Sequence, residues 1–342
     1  MLFQINPSFT KKNQLKLDLS KNILDKNFKL CFSLVYSIKS IEGAEIIKQI
    51  GRYYELEIKS NTILITLQKT RLGTYNMSCG PEGVFLINHK NDFVDIKLNK
   101  LQFENKIFKI RYENKTTDKI IPIIPEPLTY SFNNKFIELE DRNFKLMEEE
   151  IIQNTFDILS NLDITFSNSN GFPIIFKQTN YITDEYTLEI LEDRIEIFYK
   201  NYGGQLYSIM TLIQIIDYYK NRLPLVKIHD KPKYAWRGMH LDCARQFYSI
   251  NEIKKILDYM VLFKLNRFHW HLTDNEAWRI EIKSYPNLSQ LGSYRGYNMK
   301  IPPFYGSGYY KYGGYYTHED VKNLILYAKK LNIEIMPEID LP

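Results

Sequence analysis

Three short segments in the last third of the 342-residue chain gather the side chains that carry acid–base and polar-binding chemistry: WRGMHLDCARQ, RFHWHLTD and IEIMPEID. The first ends in Asp242 and Arg245, the second in His269, His271 and Asp274, the third in Glu338 and Asp340. Carboxylates that collect at one place can move protons or orient hydroxyls. An arginine among them presents a planar fork of donors that grips vicinal hydroxyls or a carboxylate at two points. A ring of carboxylates around one arginine therefore suits a polyhydroxylated substrate. The structural alternative for Arg245 is an ion pair with Asp242 or Asp340. His269 and His271 share one strand face, since side chains alternate with period two, and with Asp274 they form a candidate set for a divalent metal. Their alternative is a pair of packed, hydrogen-bonded imidazoles, and the metal set counts no histidine from another strand. His318 opens a helix and is expected in solvent.

The elements that must hold these residues are legible from Tyr234 onward, where strand and helix patterns alternate. WRGMHLD reads as a strand and SINEIKKILDYMVLFKLN as a helix. Ser249 and Glu252 form a capping box, and Ile253, Ile256, Leu257, Met260 and Val261 make an apolar stripe at helical spacing. RFHWHLTD is the second strand. THEDVKNLILYAKKLN repeats the helix pattern, with Thr317 and Asp320 at its start and Val321, Leu324, Ile325, Ala328 and Leu331 facing inward. IEIMPEID is the third strand. Successive βα units with long crossovers mean a parallel sheet. A dinucleotide fold would carry GxGxxG after the first strand, and this chain has DCARQF there, so a barrel is favoured. Barrel chemistry sits at the carboxyl ends of strands, where these polar residues fall. A complete (β/α)8 barrel takes typically ~250 residues, so residues 231–342 are expected to be the front part of an incomplete one. The Gly- and Tyr-rich run from Ile301 to Thr317 is a long loop at that face, a candidate lid or a mere connector.

Upstream, the first ~120 residues alternate with period two in runs such as LCFSLVYSI, YYELEI and NTILITL, which predicts antiparallel strands in a sandwich-like module. Nothing in it suggests chemistry. IPIIPEP, from Ile121 to Pro127, carries three prolines and is the best linker. An α+β domain over 121–230 follows, with a helix from Phe144 to Leu159, strands FPIIFK, YTLEIL and RIEIFY, and a helix with Leu206, Ile209, Met210, Ile213 and Ile216 on one face. The domain boundaries are thus 1–120, 121–230 and 231–342. Asp184 and Glu185, the one Asp-Glu pair in the chain, open a strand of the middle domain and are expected at its surface.

Composition excludes whole classes. The net charge of +5 is modest for this length and the basic residues are scattered, so nucleic acid is not implied. Cys31, Cys79 and Cys243 stand far apart without CxxC spacing, which predicts reduced thiols. No basic n-region followed by an apolar h-region opens the chain and no window approaches a membrane span, so the expected setting is the cytoplasm, with no membrane partner.

Taken together, KPKYAWRGMHLDCARQFYS, KLNRFHWHLTDNEAWRIEIKSYPNLSQLG and YGGYYTHEDVKNLILYAKKLNIEIMPEID resemble the first three barrel strands of the β-N-acetylhexosaminidases of glycoside hydrolase family 20. The middle domain, in EYTLEI and YGGQLYSIMTLIQII, resembles that family's zincin-like accessory domain. The resemblance implies removal of terminal non-reducing N-acetylhexosamine by substrate-assisted retaining hydrolysis, in which the sugar's own acetamido oxygen attacks the anomeric carbon, with no metal or other cofactor. It implies that Arg245 binds the sugar's 3- and 4-hydroxyls, that Asp274 supports the general acid through an Asp-His-Glu relay, and that Asp340 lines the same pocket. Asn275, Glu276 and Ala277 stand where the family usually has Asp, Gln and Gly. The histidine that follows PEID-x-PG in the family and the acid-bearing Asp-Glu pair of its fourth strand have no counterpart in residues 231–342. The expectation is therefore a truncated chain, inactive alone, with N-acetylglucosamine- or N-acetylgalactosamine-terminated glycans as ligands and a C-terminal fragment as a possible complement. The alternatives are a non-catalytic carbohydrate-binding remnant and a metal-dependent barrel hydrolase using His269 and His271.

Overall fold

The computed structural model describes residues 3–11, 13–68, 80–103, 122–159 and 162–341. Cys79 and residues 104–121, where the N-terminal module was expected to end, lie outside them. Among the described residues no helix is long and apolar enough to cross a membrane. The strands fall into three main sheets. Ten strands between Phe3 and Phe103 form the first, around a core that includes Ile5, Phe9, Leu15, Leu17, Leu30, Leu56, Ile63 and Ile65. Its pairings are antiparallel except at the first strand, Phe3–Lys11, which runs parallel to Phe93–Leu98 and to Gln102–Phe103. Alternation along a strand fixes which face is buried but not the direction of its neighbour, so the purely antiparallel expectation is corrected there.

The middle sheet has seven strands, from Thr129–Glu138 to Arg222–Asp230. The helix expected from Phe144 spans only Glu149–Leu159, and Asn143–Lys145 is a strand instead. Phe144 and Leu146 both point into the core, a period of two that belongs to extended chain. Tyr202–Tyr219 is a helix capped by Asn201, whose side chain accepts from the Gly204 N–H. It is apolar nearly all round, as a helix covered on both sides must be. Leu206, Ile209, Met210, Ile213 and Ile216 are buried as the stripe predicts, and so are Leu212 and Ile215. One face lies on the middle sheet and another meets the last segment of the chain, so a single apolar core runs from Ile123 to Ile333 across both.

In the last segment the strands β1 (Gly238–Asp242), β2 (Arg267–Asp274) and β3 (Glu334–Ile339) are parallel, with β2 in the centre. Helix α1 (Ile250–Leu262) connects β1 to β2, and helix α2 (His318–Lys330) leads into β3. Both helices carry the predicted capping boxes, Ser249 with Glu252 and Thr317 with Asp320. On α2 the buried stripe is Leu324, Ala328 and Leu331, while Ile325 is 48% exposed, a correction to the inward set read from the sequence. The helix lies on the sheet along a narrower face than its apolar pattern offers.

The amino ends of these parallel strands are fastened to the middle domain by buried charge. Lys264, just past α1, donates from Nζ to the Asp230 carboxylate and the Tyr186 hydroxyl, both at 2.8 Å, and Tyr186 also bonds Thr211. Arg237 donates to the carbonyls of Lys264 and Tyr234 and to the Tyr207 hydroxyl, and approaches Asp184 to 3.7 Å. Asp184 and Glu185 are thus not surface residues: each carboxylate side chain is only 12% exposed. Asp184 also takes a hydrogen bond from Asn201, and a Cβ at Gly203 would sit 1.9 Å from its Oδ1, which requires glycine there. Removing one partner of a buried pair leaves an uncompensated charge, so Asp230→Ala is expected to lower stability by about 3–5 kcal/mol. Lys264→Met leaves the Asp230 carboxylate unpaired and is expected to cost a similar amount. Denaturant unfolding followed by tryptophan fluorescence checks both; a loss below about 1 kcal/mol for Asp230→Ala would rule the clamp out.

Candidate active site

Register builds the site. Asp242 pairs with His271 and His271 with Glu338 across β1, β2 and β3, and one step earlier His240 pairs with His269 and His269 with Met336. In-register residues of parallel strands share a face, so these side chains project together. The alternate residues Phe268, Trp270 and Leu272 are buried on the opposite face, in the core shared with the helices. The HxHxT pattern of β2 is therefore the polar side of a strand whose other side is wholly apolar.

At the carboxyl ends, Arg245 lies between two carboxylates. Its Nη1 donates to Asp242 at 2.5 Å, its Nη2 to Asp274, and its Nε stands 3.8 Å from Glu276. The backbone N–H of Arg245 also donates to Asp242, which locks the turn after β1. The ion pair foreseen for Arg245 with Asp242 or Asp340 forms with Asp242 and Asp274, not with Asp340. The guanidinium carries more N–H groups than these pairs use and its side chain is 41% exposed, so donors remain for a ligand. The surrounding carboxylates hold its pKa above the ordinary arginine value against the effect of burial. For Asp242, burial pushes the carboxyl up, but the Arg245 N–H and guanidinium outweigh it and hold it below the usual range.

Asp340 joins the same place through β3: Thr273 donates to its carbonyl, and its carboxylate lies with His271 and Asp274 in a group whose ligand atoms are within 4.8 Å of one another. Arg245, Asp274 and Asp340 thus converge. His271 is the centre of the ionic network, with Nδ1 2.9 Å from Glu338 and Nε2 3.4 Å from Asp274. Neither contact has the alignment of a hydrogen bond, so both ring nitrogens are buried in ionic rather than hydrogen-bonded contacts. His269 reaches the same Glu338 at 2.7 Å and His240 at 3.6 Å. The metal set read from the sequence, His269 with His271 and Asp274, does not assemble as such. Among the described residues, the groups that could hold a cation are His240, His271 and Glu338, or His271, Asp274 and Asp340.

Four residues of the site escaped sequence reasoning, the first being His240 of β1, the histidine from a second strand that the metal reading had gone without. Glu276 accepts from the Tyr305 hydroxyl at 3.0 Å and faces Arg245; its signal was an acidic residue beside Asp274 where an amide is usual. Arg279 is fully buried and donates to the carbonyls of Cys243, Ala244, Ser293 and Gly314, tying the turn after β1 to two further loops. Burial, followed by the charge of Arg295, pulls its pKa down to about 10. Arg295 is 1% exposed, with its guanidinium 4.9 Å from the Tyr312 ring centre and 5.6 Å from that of Tyr305. Nothing in the sequence marks Arg279 or Arg295 as buried. The Tyr-rich loop is held at its carboxyl end: Tyr312 exchanges bonds with the Phe247 backbone, and Tyr316 donates to the Tyr248 carbonyl. His318 is exposed, and its backbone N–H donates to Glu281.

Burial disfavours the His271 imidazolium, but Glu338, then Asp242 and Asp274, outweigh it and raise its pKa above 6.5. Burial raises the Glu338 carboxyl, but His271, His269 and His240 outweigh it and lower it below 4.5. The His271 contribution to stability is complete below its unfolded pKa and is lost as pH rises through the folded value; that of Glu338 is complete above its unfolded pKa and is lost as pH falls through the folded value. Both are in place between about pH 4.5 and 6.5. Imidazole NMR titration is expected to give a His271 midpoint above 6.5, which Glu338→Gln lowers. A midpoint insensitive to that substitution would remove Glu338 as the cause.

Residues 234–342 match the model of "Glycosyl hydrolase family 20, catalytic domain". The chain is 38% identical over 176 residues to a beta-hexosaminidase of Vibrio furnissii, and 32% identical over 248 residues to one of Porphyromonas gingivalis. These alignments take in 50% and 66% of this chain, and only 29% and 31% of the relatives' own length. Among solved structures, a GH20 exo-β-N-acetylglucosaminidase from Vibrio harveyi in complex with N-acetylglucosamine is similar over 100% of this chain and 58% of its own, with a TM-score of 0.78 at 24% identity, a likeness of fold. A β-N-acetylhexosaminidase from Bacteroides fragilis is 28% identical over 64% of this chain and 45% of its own, with a TM-score of 0.53. Motifs, strand register and comparisons coincide over the same residues, and it is residues 234–342 that are similar to the catalytic domain of glycosyl hydrolase family 20.

Proposed function

We propose that this chain forms the sugar-gripping side of a β-N-acetylhexosaminidase that removes terminal non-reducing N-acetylhexosamine from glycans. The observation that carries this reading is Arg245, aimed by Asp242 and Asp274 at the carboxyl ends of the parallel strands, with N–H groups to spare. Its fork suits the 3- and 4-hydroxyls of a bound sugar. Asp274 fixes that fork and faces His271, while Asp340 completes the polar wall. Three parallel strands with intervening helices support a (β/α)8 barrel, and the middle domain, with its helix Tyr202–Tyr219 docked against the barrel, supports a zincin-like accessory domain. Free thiols at Cys31 and Cys243 support a reducing compartment such as the cytoplasm.

Substrate-assisted hydrolysis uses the acetamido oxygen of the sugar as nucleophile, so the protein must orient that group and protonate the leaving oxygen. Residues 231–342 contain no adjacent Asp-Glu pair for those two tasks. The part assigned to this chain is recognition of the sugar, with Asp274 fixing Arg245 and facing His271 as the support of a relay to the acid. The second reading, a cation at His271 with Asp274 and Asp340, rests on the convergence of their ligand atoms. Against it, both ring nitrogens of His271 already face carboxylates, and the protonated form those carboxylates favour cannot bind a metal.

Titration calorimetry is expected to detect N-acetylglucosamine binding, and Arg245→Lys to weaken it by roughly 10- to 100-fold, the worth of a charge-assisted pair of hydrogen bonds. Binding unchanged in Arg245→Lys would overturn the assignment. Stoichiometric zinc retained through dialysis, lost in His271→Ala, would favour the metal reading instead.

A further inference from the structure

Among the described residues, Tyr305 is the one aromatic whose backbone enters the left-handed region, at φ 47°. A bulky side chain is strained there and stays only where its surroundings impose that conformation. The surroundings that impose it belong to the N-terminal module. Phe304, the residue before, packs against Tyr53, Phe85 and Ile87, and its ring would lie 3.3 Å from a Cβ at Gly51. The backbone N–H of Gly306, the residue after, donates to Ser33 Oγ at 3.5 Å, and a Cβ at Gly83 would come within 2.8 Å of Gly306 and Gly308 backbone atoms. Further along the loop Tyr309 stacks on Phe93 with ring centres 4.4 Å apart, and its hydroxyl donates to Asp95 at 3.1 Å. The chain on either side of Tyr305 is thus seated on the module.

The side chain so placed reaches the candidate site. The Tyr305 hydroxyl donates to Glu276 Oε1 at 3.0 Å, and the other oxygen of that carboxylate stands 3.8 Å from Arg245 Nε. Glu276 Oε2 is buried without a hydrogen-bond partner, so the bond from Tyr305 is what fixes the direction of the carboxylate. Burial raises the Tyr305 pKa, Glu276 adds to the rise and Arg245 opposes it, which keeps the hydroxyl a donor. Arg295 holds the ring. Its guanidinium is buried, none of its nitrogens has a hydrogen-bond partner, and the Tyr305 and Tyr312 ring centres lie 5.6 and 4.9 Å away. Burial pulls its pKa down, and Tyr312, Tyr305 and Glu276 are the groups that favour its charge. A desolvated cation in that state is compensated by aromatic faces, which ties the Tyr305 ring to it.

We infer that Tyr305 is a positioning residue of the Arg245 site, set in place by the N-terminal module: the module fixes the loop on either side of Tyr305, Tyr305 fixes Glu276, and Glu276 with Asp242 and Asp274 aims the Arg245 fork. The inference rests on the reading of Arg245 as a sugar-binding residue. It gives a part in recognition to a module whose sequence shows no chemistry.

The test is titration calorimetry of the full chain with N-acetylglucosamine, for the unaltered protein, Tyr305→Phe, Gly83→Ala and the two substitutions combined, with circular dichroism melts to verify folding. Tyr305→Phe is expected to weaken binding by roughly 3- to 10-fold, the worth of one net hydrogen bond. Gly83→Ala pushes on Gly306 and Gly308 and is expected to weaken binding by no more than Tyr305→Phe does. Once the Tyr305 hydroxyl is gone it is expected to change binding by less than about twofold, because the module acts through that hydroxyl. Should Gly83→Ala fail to fold, Phe93→Ala, which removes the ring that Tyr309 stacks on, takes its place with the same expectation. In the sugar-free protein the Arg245 Nε–H resonance, assigned by its loss in Arg245→Lys, is expected to move in Tyr305→Phe and in the module variant alike; a residue that only stabilised the fold would leave it in place. Binding by Tyr305→Phe within about twofold of the unaltered protein, losses that add in the combined variant, or an unmoved Nε–H resonance would overturn the inference. Failure of N-acetylglucosamine to bind the unaltered protein would overturn the reading of Arg245 instead, and the resonance then decides by itself whether Tyr305 positions the guanidinium.

Discussion

Parallel strands in register put corresponding side chains on one face at one height, and the polar site of this protein depends on that constraint. Pairing Asp242 with His271, and His271 with Glu338, stacks two carboxylates on either side of an imidazole. A shift of one residue in β2 would turn Trp270 and Leu272 to the polar face and bury His269 and His271 among aliphatic side chains. The apolar face thus enforces the polar one. Trp270, Phe268 and Leu272 are almost completely buried, and loss of their burial is the penalty that keeps the register.

A second layer of constraint comes from buried arginines and lysine acting on loops and domains. Arg279 satisfies carbonyls from the turn after β1, from Ser293 and from Gly314, groups that have no sheet or helix partner of their own. Lys264 and Arg237 do the corresponding task at the other end of the strands, where they meet Asp230, Tyr186 and Asp184 of the middle domain. Such pairs are costly to desolvate and specify geometry more than they add stability. Here they fix how the parallel-stranded segment sits on its neighbour, while the shared apolar core around the helix Tyr202–Tyr219 supplies the favourable area.

The Tyr-rich loop links these layers to the N-terminal module. One tyrosine of it, Tyr305, bonds Glu276 beside Arg245, and another, Tyr309, stacks on Phe93 of the module. The loop is therefore clasped between two bodies, with its aromatic rings divided between the module and the site.

Much of this was written in the local sequence. Capping boxes at Ser249 and Thr317, the alternation in RFHWHLTD and the stripe in the helix Ile250–Leu262 fix strand, helix, strand and helix, because each depends on neighbours within a few residues. The motifs that carry Arg245, Asp274 and Asp340 sit at strand ends, and strand ends of a parallel sheet lie together, so their convergence was legible as well. Distance along the chain hid the rest. That Arg245 pairs with Asp274 rather than Asp340, that Asp184 lies against Arg237 and not at the surface, and that Glu276 meets Tyr305 all depend on contacts between residues 29 to 53 positions apart. Periodicity tells which face of an element is apolar and nothing about which element covers it. Only the packed tertiary structure decides which charge faces which, because electrostatic partners are set by distance in space and by the water that burial removes.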